Sequence, residues 1–76
     1  MNIIFNELKT KEIIRINTGE RIGFVNDLEI DCDSGAIKSL IVHGAYRGFG
    51  LFGKDEDTYI SWDKIEKIGT DFIVIK

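Results

Sequence analysis

Few side chains in this chain have types suited to chemistry, and their spacing limits what that chemistry can be. His43 is the single histidine, and no second base, nucleophile or ligand stands at a useful distance from it along the chain. It reads as a strand-end residue, and no catalytic residue is expected. Asp31 and Asp33, followed by Ser34 and Gly35, open like a calcium loop. Such a loop needs a bidentate glutamate at its twelfth position. Counted from Asp31, that position is Val42, so the stretch reads as a turn and no metal is expected. Cys32 lies in an alternating apolar run with nothing basic beside it to lower its pKa; it reads as a buried small hydrophobe. The glycines at 44, 48, 50 and 53 do not fall in a dinucleotide or phosphate-loop spacing, and no Lys-Ser/Thr pair follows them. No cofactor is expected.

Two features suit binding better than catalysis. The first is residues 44–54, GAYRGFGLFGK, where four of the eight glycines interleave with Tyr46, Phe49, Leu51 and Phe52. Apolar side chains on a loop stay wet unless they fold back over the domain or meet a partner. A lid, a partner or dimer surface, and a membrane contact flanked by Arg47 and Lys54 are the three readings. The partner surface, serving a homodimer, is the expectation. The second is an acidic column: Asp27, Glu29, Asp31 and Asp33 project one way along a strand, about 7 Å apart from one to the next. Such a column is either a solvated face balanced by a cross-strand lysine such as Lys38 or a docking strip for a basic partner. Asp55, Glu56 and Asp57 read as a solvated loop tip.

The elements that must position these residues are short strands. Residues 12–16 are β-branched and lead into the turn Asn17-Thr18-Gly19-Glu20. Over 21–33 the apolar residues Ile22, Phe24, Leu28, Ile30 and Cys32 take even positions, which predicts one inward face. Thirteen residues exceed the usual strand, so a bend or break is expected near Gly23 to Asp27. Asp33-Ser34-Gly35 is the next turn and 36–43 the next strand, with Leu40, Ile41 and Val42 covered on both faces. A strand at 58–62 puts Ile60 and Trp62 in the core. A helical turn at 63–67 ends at Gly69, and 71–76 closes as a strand. At the start, Asn6 caps one helical turn that presents Leu8 inward.

Seventy-six residues make one domain, which buries only about 60% of its unfolded surface. One cysteine allows no internal disulfide, and a reducing, cytoplasmic setting is the simplest expectation. No apolar run approaches the roughly 20 residues of a membrane span. Ten basic and thirteen acidic side chains leave a net charge of −3, which argues against a protein that tracks a phosphate backbone. Short strands, glycine-bearing turns and no proline predict an all-β fold, a small barrel or half-open roll.

The runs Lys11-Glu12-Ile13-Ile14 and Asn17-Thr18-Gly19-Glu20-Arg21-Ile22-Gly23, with the alternating acidic strand after them, resemble the opening half of PRC-barrel domains. The segments Gly50-Leu51-Phe52-Gly53-Lys54-Asp55-Glu56-Asp57, Tyr59-Ile60-Ser61-Trp62-Asp63-Lys64-Ile65 and Lys67-Ile68-Gly69-x-Asp71 resemble a narrower group, the YlmC/YmxH type of sporulation-associated proteins. Ser61 stands where that pattern usually has proline, and His43 at a position that is often proline-like. The resemblance covers nearly the whole chain. It implies a mostly antiparallel barrel of about six strands, related to domains of the photosynthetic reaction-centre H subunit and of a ribosome maturation factor. Those relatives use the barrel as a protein-binding adaptor. The resemblance therefore implies a non-enzymatic, sporulation-associated interaction module, with a ribosome- or RNA-associated adaptor as the alternative.

Overall fold

The computed structural model describes residues 1–43 and 57–76. These form one helical turn, α1 (Phe5–Leu8), and seven strands: β1 (Glu12–Arg15), β2 (Arg21–Phe24), β3 (Asp27–Asp31), β4 (Ala36–His43), β5 (Asp57–Ser61), β6 (Ile65–Ile68) and β7 (Phe72–Ile75). A 3-10 turn, Trp62–Lys64, joins β5 to β6. The fold is all-β, as the alternation predicts, but it is not a single closed barrel of six strands. The described strands form two sheets, ordered β2-β1-β7-β6 and β3-β4-β5. All pairings are antiparallel except β1 with β7, where the two ends of the chain run side by side. No helix among the described residues is long and apolar enough to cross a membrane.

Local chemistry sets the breaks. Gly19 and Gly35 occupy the left-handed region in the turns after β1 and β3, with φ of 75° and 79°. Gly23 sits at φ 136°, where the long run 21–33 divides into two strands. An added Cβ there would lie 3.1 Å from Val42 Cγ1, so the site needs glycine for conformation and for space. Asn26 holds the break: its N–H donates to Ile41 O at 2.8 Å and its Oδ1 accepts the His43 N–H at 2.7 Å. The chain therefore leaves one sheet and enters the other between Phe24 and Asp27.

That crossing corrects the expectation of one inward even-numbered face. Ile22 is buried and Leu28 partly so, but Phe24 and Ile30 are about half exposed, and Val25 is buried. A register shift between Ile13 and Ile14 puts Phe24 beside Glu12 on the outer face of its sheet. A second shift, between Glu29 and Ile30, leaves Lys38 as an extra residue in β4 opposite the end of β3. Cys32 is exposed, contrary to the sequence reading, because β3 stops at Asp31 and the cysteine falls in the turn.

The core lies between the sheets. Ile13, Leu40 and Ile73 are fully buried, with Val25, Val42, Ile60 and Ile75 nearly so. Leu40, Ile41 and Val42 are all covered, as their uninterrupted run predicts. Leu8 is buried beneath α1, although Ile4 and not Asn6 is the capping residue; the Glu7 carboxylate accepts the Ile4 N–H at 3.1 Å. The segment expected as a helical turn at 63–67 is shorter: the 3-10 turn ends at Lys64 and residues 65–68 continue as β6.

Candidate interaction surface

The outer acidic residues of β3 are placed separately by their own backbone bonds. Asp27 is exposed, and its Oδ1 accepts the Leu28 N–H at 3.0 Å. Glu29 is partly buried and paired in register with Ser39. Asp31 ends the strand, with its Oδ1 accepting the Asp33 N–H at 2.9 Å. Asp33 itself lies in the turn, so the column stops at three residues. Lys38 falls at the register shift, between Ile37 and Ser39, and no ion pair among the described residues joins it to the column. β3 is also an edge strand of its sheet. Charge on an edge strand hinders edge-to-edge aggregation, and this explains Asp27 and Glu29 without a partner. Asp31 has further neighbours. Tyr46, Phe49, Leu51 and Phe52 lie outside the described residues.

Asp31 belongs to a pair of cavities that meet at Trp62. One, about 140 Å³, is lined by apolar residues drawn from both sheets and the N-terminal segment: Ile3, Leu8, Leu28, Ile37, Trp62 and Ile68. Ile4 and Phe5 complete its rim, 65% and 36% exposed. The other, about 320 Å³, is lined by Asp31, Ile37, Lys38, Ser61, Trp62 and Asp63. Trp62 and Ile37 serve both. The sequence reading placed Trp62 in the core at the end of a strand. It instead opens the 3-10 turn, packs against the core and is only partly buried. The turn takes this course because Ser61 caps it, with Oγ accepting the Asp63 N–H at 3.4 Å. Proline at position 61 would restrict the same backbone without supplying that acceptor.

His43 has a partner 14 residues away. Its Nδ1 lies 2.8 Å from Asp57 Oδ1, in the last pair of the β4–β5 ladder. A carboxylate that orients an imidazole is part of a general-base relay, but a relay also needs a nucleophile in reach. No described hydrogen bond brings a hydroxyl or thiol to the His43 ring. Both partners are substantially exposed, which marks the pair as a ladder-end surface contact.

Lys11 is 7% exposed, and its Nζ donates to Thr70 O at 2.7 Å. It ties the start of β1 to the turn before β7. A lysine in a polar-apolar run reads as surface, so composition carried no signal for its burial. The Trp62 cavities were equally hidden, since Ile3, Leu28, Ile37 and Ile68 come together only when the two sheets pack.

The family model of the PRC-barrel domain matches residues 1–76. A relative from Bacillus subtilis named "Probable sporulation protein YlmC" is 32% identical over 97% of this chain and 91% of its own length. An uncharacterised protein of Clostridium acetobutylicum is 41% identical, over 92% and 79% of the two chains. The uncharacterised YmxH of Bacillus subtilis is 38% identical, over 92% and 84%. By its match along the full length and by these relatives, the chain belongs to the PRC-barrel domain family.

Proposed function

We propose that this chain is a non-enzymatic protein-interaction module acting in sporulation. The observation that supports it best is the open apolar cavity at Trp62, rimmed by the exposed Ile4 and Phe5. A 76-residue domain has little burial to spare, and each large apolar side chain left wet forgoes about 1.5–3 kcal/mol. Apolar side chains kept at an open rim are best accounted for by a partner that covers them. The sporulation setting rests on the printed name of the YlmC relative.

The sequence adds a second contact surface, the glycine-aromatic loop with Tyr46, Phe49, Leu51 and Phe52, as the site of a homodimer. A two-fold contact lets one apolar patch serve both copies. Affinity purification of the tagged chain from sporulating cells, followed by a sucrose gradient, tests the reading. A discrete partner protein free of ribosomal particles supports it. Co-migration with ribosomal particles favours the ribosome-associated alternative and overturns it.

A further inference from the structure

We infer that the paired cavities at Trp62 receive a protein segment that presents one apolar side chain beside a lysine or arginine. The inference rests on the interaction reading above and adds the chemistry of the partner. The apolar cavity, about 140 Å³, is close to the roughly 150 Å³ that accommodates a benzene-sized group. A cavity of that size takes a single aliphatic or aromatic side chain.

What lies beside it fixes the neighbour. Across Trp62, the second cavity is lined by two acidic residues, Asp31 and Asp63, and one basic residue, Lys38. Asp31 is held in place through its bond to the Asp33 N–H, so this charge is fixed before a partner arrives. Asp27 and Glu29 stand further along the same strand, and the chain as a whole carries −3. A cation entering this cavity meets two carboxylates and an indole, the aromatic ring that attracts cations best. An acidic segment would meet repulsion in the same place.

The test uses the full chain as bait for a library of short random peptides displayed on phage, with the selected peptides then synthesised. Trp62 is the only tryptophan, so its emission reports binding at the cavities directly. The expected result is enrichment of peptides with an apolar residue next to Lys or Arg, which shift Trp62 emission saturably. The double variant Asp31→Asn/Asp63→Asn, with its fold checked by circular dichroism, should bind them about three- to tenfold more weakly. Added salt should also weaken the wild-type complex. Enrichment of acidic or uncharged peptides, no enrichment at all, or binding indifferent to the double variant would overturn the inference. These outcomes are separate from the fate of the interaction reading. A partner recovered from sporulating cells alongside acidic selected peptides leaves that reading standing and removes this one.

Discussion

Replacing Trp62 by alanine distinguishes a cavity wall from a core residue. Truncating a fully buried tryptophan costs about 3–5 kcal/mol. Trp62 is only partly buried and faces two cavities, so much of its ring area is not removed from water on folding. Roughly half of the full cost, about 2 kcal/mol, is expected. The comparison is Ile73→Ala, at a side chain with no exposure, which should lose about 3–4 kcal/mol. Domains of this length have a total stability on the order of 4–11 kcal/mol. Trp62→Ala should therefore remain folded at 25 °C, with its melting temperature lowered by about 8–16 °C. Ile73→Ala should lose about 12–32 °C. Urea denaturation followed by far-ultraviolet circular dichroism measures both. A Trp62→Ala protein that is unfolded, or less stable than Ile73→Ala, would refute the assignment of Trp62 to the cavity wall.

Gly23→Ala combines an unfavourable φ with a 3.1 Å contact to Val42 and should cost about 2–3 kcal/mol; Gly35→Ala meets nothing within 4 Å and should cost about 1, both by urea denaturation. Lys11→Met keeps the buried stem, loses the bond to Thr70 O and should destabilise by about 1–2 kcal/mol on the same assay. His43→Ala removes an exposed pair and should change stability by no more than about 1 kcal/mol. Light scattering after size exclusion should find a dimer that Phe49→Ser/Phe52→Ser converts to a monomer. A wild-type monomer at tens of micromolar defeats the dimer, and a double variant that stays dimeric moves the interface elsewhere.

What was legible in the sequence was local. Gly19 and Gly35 announced their turns, the run 36–43 announced β4, and the excess length of 21–33 announced a break near Gly23 to Asp27, which falls between Phe24 and Asp27. The alternation failed where two strands of different sheets were read as one. Phe24, Ile30 and Cys32 kept the period in sequence while the chain changed sheets and shifted register beneath them. Pairing across long separations was not legible: nothing local shows that β1 lies parallel to β7, or that Lys11 reaches Thr70. The candidate surface has the same origin. Asp31 was visible as a charge, but its neighbours Trp62 and Asp63 reach it through the packing of the 3-10 turn onto the β3–β4 end.

On the proposed function, the face around Trp62 is the one a partner covers in the cell. A photo-crosslinking amino acid placed at position 4, on the exposed rim of the apolar cavity, tests it against the same group at position 24, on the outer face of the sheet β2-β1-β7-β6. In sporulating cells a discrete protein adduct is expected from position 4, identified by mass spectrometry, and none from position 24. An adduct from position 24 alone would contradict it.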